Sequence, residues 1–188
     1  MYTEPTCAVP EGRCAEQAFR LAVYEAGHAL TARALGLRIV SVRMLPRPPV
    51  LISDKAFGND WASFIETLEI RIIELFGGQI AEEFACASAT CCGGDVARID
   101  ELTRLVAGLG DEKDHEVVWD NLEEVAQGVF ADQRNQDAII PLAEFLYQRV
   151  LDGQEIVSGK DVETILDEYV PFAPKKKWVE RMFSFGRK

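Results

Sequence analysis

Apolar positions recur every three or four residues along most of this chain, the period of helices that bury one face. Residues 14–35 form the first such stretch, rich in alanine (Ala15, Ala18, Ala22, Ala26, Ala29, Ala32, Ala34). It predicts a slim helix that neighbours approach closely, stopped by Gly36. Residues 38–44 are β-branched and partly alternating, and Pro46, Pro48 and Pro49 come directly after them, which predicts a short edge strand. Residues 45–60 read as a loop in which Val50, Leu51 and Ile52 are extended and Asp60 caps the next helix.

Trp61, Phe64, Ile65, Leu68, Ile72, Leu75 and Phe76 predict a long helix from Trp61 to about Ala85. Gly77 and Gly78 within it call for close backbone packing or a break. Asp95 opens a helix with an apolar face of Ile99, Leu102 and Val106, and its carboxylate suits an N-terminal cap. Two more helices are predicted at 115–132 and 136–152, the second started or kinked by Pro141 and ended by Gly153. Ser158 with Asp161 resembles a capping box and starts a last helix reaching about Tyr169.

At 188 residues and 48% hydrophobic composition the chain has material for one domain with a sizeable core. The boundaries predicted are an irregular lead-in at 1–14, a domain at 15–170 and a tail at 171–188. The net charge of -11 argues against a general nucleic-acid binder, which needs clustered Lys and Arg. Charge is unevenly placed: the tail holds six Lys or Arg and one Glu, so it is +5 and the remainder -16. Its Lys175, Lys176, Lys177 and Arg181 interleave with Trp178, Met182, Phe183 and Phe185. That pattern suits contact with an anionic membrane surface, docking in a partner's groove, or a solvated end with a few packed aromatics. The first residues lack a signal-peptide pattern and no apolar run reaches membrane-spanning length, so a soluble, cytoplasmic chain is expected.

Five cysteines, an odd number at no framework spacing, predict reduced thiols at Cys7, Cys14, Cys86, Cys91 and Cys92. Cys91 and Cys92 are small buried residues or thiolate ligands. His115, in a charged run, reads as a solvated loop or helix start rather than a ligand.

The candidate chemistry lies in the first helix. Tyr24, Glu25 and His28 have the spacing of H-E-x-x-H, in which two residues four apart share a helix face and the Glu between them serves a bound metal's water. A phenol replaces the first imidazole. The segment Tyr24-Glu25-Ala26-Gly27-His28-Ala29 resembles the HEAGHA segment of the FtsH-type ATP-dependent zinc metalloproteases. FGGQIAEEF at 76–84 is similar to that family's GGRAAEE, TCCGGDVARIDELTRLV at 90–106 to its TGASNDLxxAT, and AEFLYQRVLDGQEI at 143–156 to its closing LDGxEI signature.

The resemblance implies a mainly α, zincin-like peptidase domain with a small β element after the HEAGH-like helix. It implies Glu25 as catalytic base, His28 and Asp95 as zinc ligands, and Tyr24, a water, Cys91 or Cys92 where the missing ligand would be. Tyrosine is a poor substitute, with an ordinary pKa of about 10. Losing one ligand of four removes roughly 3 kcal/mol, about two orders of magnitude in affinity, so weak or absent zinc is expected. The chain has no G-x-x-x-x-G-K-[ST] phosphate loop, so any ATP-driven unfolding would come from a separate ATPase partner. Two functions are expected from this: a degenerate peptidase domain acting as a binding or regulatory module, or a zinc-dependent endopeptidase with a remodelled site acting on unfolded peptides. The family works as rings, which makes an oligomer an open expectation.

Overall fold

The computed structural model describes residues 9, 12–44, 50–53, 60–110 and 114–172. The basic tail beyond Phe172, most of the lead-in, and Pro46, Pro48 and Pro49 lie outside these residues. Six α-helices and three short strands are present among them: α1 (Gln17–Ala34), β1 (Ile39–Arg43), β2 (Val50–Ser53), α2 (Trp61–Cys86), α3 (Gly93–Leu109), α4 (His115–Phe130), α5 (Gln133–Leu151), β3 (Ile156–Ser158) and α6 (Gly159–Asp167). The protein is therefore mainly helical with a small sheet.

Helix α1 is the axis of the molecule, buried on every side from Ala22 to Ala34. Alanine and glycine make that possible, because a helix without bulky side chains admits neighbours on all faces. Its closest neighbour is α2. A Cβ at Gly27 would lie 2.2 Å from the Gly77 carbonyl oxygen, and one at Gly77 would lie 2.1 Å from Thr31 Oγ1. The paired glycines thus serve close packing, and α2 continues through them without a break. Helix α5 covers another side of α1, with the Phe19 and Tyr147 rings edge to face at 5.7 Å.

The first helix starts later than its composition predicts. Arg13–Ala15 form a separate 3-10 turn, and Glu16 is extended (φ -81°, ψ 109°) before α1 begins. Alanine propensity favours helix there, but the ties that this turn makes to α5 and to α2 override it. Arg13 donates to Glu144 at 2.5 Å, the Tyr147 hydroxyl donates to Glu16, and Cys14 is bonded to Cys86. At the other end Gly36 (φ 75°) ends α1, its N–H donating to the Arg33 carbonyl and that of Leu37 to the Ala32 carbonyl. This is the paired closure that a left-handed residue after a helix allows.

Strand β1 lies at the centre of the sheet, not at its edge, the order being β2-β1-β3. The prolines after β1 suggested an edge, but a proline beyond a strand's end does not block its ladder. The third strand comes from far along the chain, beyond the end of α5, with Val42 opposite Val157 and also opposite Leu51. These three are buried and form the sheet's inner face. Asp60 caps α2 by accepting from the Ser63 N–H at 2.9 Å, and Ser158 caps α6 by accepting from that of Asp161 at 3.2 Å. Pro141 lies inside α5, which neither starts nor ends there.

Candidate functional site

Tyr24, Glu25 and His28 are all buried, at 5%, 2% and 5% exposure, because α1 is enclosed. Space for the two rings comes from α2. A Cβ at Gly78 would sit 2.6 Å from His28 Cε1 and 2.8 Å from Tyr24 Cζ. The rings stack edge to face with centroids 4.6 Å apart. Asp95 completes the group from α3. It lies in the first turn of that helix but does not cap it: Cys92 is the N-cap position, and the Asp95 carboxylate turns inward.

One oxygen, Asp95 Oδ2, receives the Tyr24 hydroxyl at 2.6 Å and His28 Nε2 at 3.1 Å. His28 Nδ1 lies 2.8 Å from the Glu74 carbonyl oxygen. A carbonyl only accepts, so Nδ1 carries a proton. With Nε2 facing a carboxylate, the imidazolium suits this setting. Burial works against that charge, but the hydrogen bond to Asp95 and the neighbouring Glu25 and Asp95 outweigh it and raise the His28 pKa. Burial likewise opposes the charge on Asp95, whereas its bonds from His28 and Tyr24 prevail and hold its pKa low. Burial, and then the bond to Asp95, pushes the Tyr24 phenol well above its ordinary range, so it keeps its proton.

Glu25 differs from these three. Burial raises its carboxyl from 4.5 to about 7, and its Oε2 has no hydrogen-bond partner among the described residues. It lines a cavity of about 230 Å³ together with Tyr24, His28, Arg71, Asp95 and the apolar Leu51 and Leu75. Arg71 donates to Glu74 at 3.1 Å, and Ser53 donates to the same carboxylate at 2.9 Å.

Tyr24, Glu25, His28 and Asp95, four residues singled out by sequence, are therefore brought together. Cys91 lines the same cavity, whereas His115 begins α4 and does not. Burial pushes the Cys91 thiol up to about 11, which disfavours a thiolate there. No group of three or more His, Cys, Asp or Glu side chains arranged to hold a metal ion is present among the described residues. As arranged, the donors do not fit zinc: the phenol is protonated, both imidazole nitrogens face acceptors, and Asp95 Oδ2 is engaged by the Tyr24 hydroxyl and His28 Nε2.

Two features escaped the sequence argument. The first is a disulfide between Cys14 and Cys86, contrary to the expected reduced thiols, with Cys91 and Cys92 free. The odd count and irregular spacing pointed away from a framework, but a single bridge needs only two side chains brought together, here from the turn before α1 and the last residue of α2. The second is Glu82, fully buried on α2, which accepts from Arg20 at 2.6 Å, from the Thr90 N–H and hydroxyl at 3.0 Å, and from the Cys91 N–H at 3.0 Å. An Arg and a Glu set in otherwise apolar helix faces were the available signal for this pair. No described helix is long and apolar enough to cross a membrane.

Comparison with protein-family models and with curated proteins finds no match.

Proposed function

We propose that the chain is a degenerate FtsH-like metallopeptidase domain, with zinc binding weak or lost, that acts as a binding or regulatory module for unfolded peptide segments. The observation that carries this reading is the shared Asp95 oxygen, which accepts from both Tyr24 and His28. The residues a zincin would turn toward an ion here satisfy one another. The cavity beside them combines leucine side chains with the Glu25 carboxyl and the Arg71 guanidinium. Such a mixture suits a peptide, whose side chains bury apolar surface while its amides need polar partners. A separate ATPase would supply unfolded segments.

One observation favours the second reading, an active peptidase with a remodelled site. Glu25, the residue at the general-base position, has an unpartnered buried oxygen and a pKa near 7, the range suited to proton transfer at neutral pH. The two readings separate on one experiment, hydrolysis of an unfolded casein-like substrate with added zinc by the wild-type protein and Tyr24→His. The degenerate-domain reading expects no cleavage by the wild type and measurable cleavage by the variant. Cleavage by the wild type that is lost in Glu25→Gln would establish the second reading instead.

A further inference from the structure

Asp95 reaches the site through the short connection after α2, and that connection is tied at its root. Cys86, the last residue of α2, is bonded to Cys14 in the turn preceding α1, with Cα atoms 5.6 Å apart. The next residue, Ala87, is in the left-handed region (φ 58°), which a side chain with a Cβ rarely adopts without support from its surroundings. Arg20 then grips the Ser88 carbonyl oxygen at 2.6 Å and also donates to the Cys14 carbonyl at 3.4 Å. Glu82, paired with the same Arg20, holds the Thr90 and Cys91 amides. Cys92 comes next as the N-cap position of α3, and three residues later Asp95 meets Tyr24 and His28. The disulfide, the Arg20–Glu82 pair and the Asp95 carboxylate thus form one continuous support.

We propose that the Cys14–Cys86 disulfide is a redox-operated tie: its reduction by an external dithiol loosens residues 87–92 and weakens the hold of Asp95 on His28 and Tyr24. Cys14 is half-buried on the surface turn while Cys86 is buried, so the incoming thiolate attacks the Cys14 sulfur. A mixed disulfide forms, and Cys86 leaves as a thiolate that takes up a proton. The second thiol of the reductant then displaces Cys14, which is released as a thiol. The dithiol ends as its own disulfide, and two electrons and two protons have passed to the protein. The inference takes from the proposed function only that the cavity is the working site, and its test uses no metal and no hydrolysis.

The test is amide hydrogen exchange and ring NMR on the full chain, oxidised and after dithiothreitol, with alkylation to count thiols. Reduction is expected to raise exchange at the Thr90 and Cys91 amides at least tenfold and to shift the His28 ring signals. The ring of His115, the one other histidine, and the amides of Leu142 and Leu146 in α5 are expected to stay as they were. The double variant Cys14→Ser, Cys86→Ser should reproduce the reduced state without reductant. Three results would overturn the proposal: Cys14 and Cys86 alkylating before any reductant is added, unchanged exchange at Thr90 and Cys91 once both thiols are released, or loss of protection in α5 as well, which would make the bond a staple of the whole fold.

Discussion

Two of the buried glutamates bear on the candidate site, Glu25 within it on α1 and Glu82 on α2 holding the segment that leads to Asp95, and their surroundings are opposite. Glu82 is enclosed by donors, with Arg20 and three groups of the 88–91 segment satisfying both oxygens. Glu25 leaves one oxygen unpartnered beside a cavity, and burial holds its carboxyl protonated up to about pH 7. A buried carboxylate with a full set of donors fixes local structure, whereas one without them is held at a cost and is available to a ligand. Burial alone would not have distinguished them. Glu82 supports the segment that leads into α3 and Asp95, and Glu25 faces the cavity that Cys91 of that segment helps to line.

The sharpest way to break this contrast is to remove each carboxylate in turn. Glu82→Ala removes the carboxylate from the half-buried Arg20 guanidinium, which keeps the Ser88 and Cys14 carbonyls, and takes the acceptor from the Thr90 and Cys91 amides, so urea denaturation should register a loss of about 3 kcal/mol. A loss below about 1 kcal/mol would mean that the Arg20–Glu82 pair does not organise the loop.

Glu25→Gln should act in the other direction at neutral pH. The folded carboxyl titrates at about 7 and the ordinary one at 4.5, so the folded protein binds the extra proton between these values. Its contribution to stability is therefore complete below pH 4.5 and is lost as pH rises through 7. The variant should match the wild type near pH 4 and exceed it by up to roughly 3 kcal/mol at pH 8. His28, whose pKa the bond to Asp95 and the Glu25 charge raise against the effect of burial, adds a slope of the same sign to both proteins and a smaller one in the variant, so the difference between the two curves reports the coupled Glu25–His28 pair. A parallel pair of curves would show that burial does not raise the Glu25 pKa.

A smaller effect is expected where α2 makes room for the rings. Gly78→Ala places a methyl group within 2.8 Å of both His28 and Tyr24. Overpacking of this kind costs about 1–3 kcal/mol, and here it should also move the His28 ring signals, which NMR reads directly. Unchanged ring signals would mean that the site yields freely and that its geometry is not set by α2.

The α1 part of the site was legible because helical spacing is local: Tyr24 and His28, four apart, must share a face. The long α2 stripe, the Asp60 and Ser158 caps and the stop at Gly36 were legible for the same reason. Asp95 was harder, since a carboxylate in the first turn of a helix suits a cap as well as an inward partner, and only the path of residues 87–92 decides between them. The central position of β1 depended on a partner far along the chain, beyond the reach of any pattern in its own segment. The Cys14–Cys86 bond and the Arg20–Glu82 pair likewise join α2 to the start of the chain, and no local periodicity encodes them. The basic, aromatic tail of residues 175–188, with its expected membrane or partner contact, lies outside the described residues and adds nothing to this comparison.

The most direct test of the central claim, that Tyr24 and Asp95 close the site against a metal, is a zinc titration by calorimetry of the wild type beside Tyr24→His. The account predicts weak or undetectable binding by the wild type and binding about two orders of magnitude tighter in the variant, dependent on His28 and Asp95. Tight, stoichiometric zinc in the wild type, abolished by His28→Ala, would contradict it and make the tyrosine a working member of a metal site.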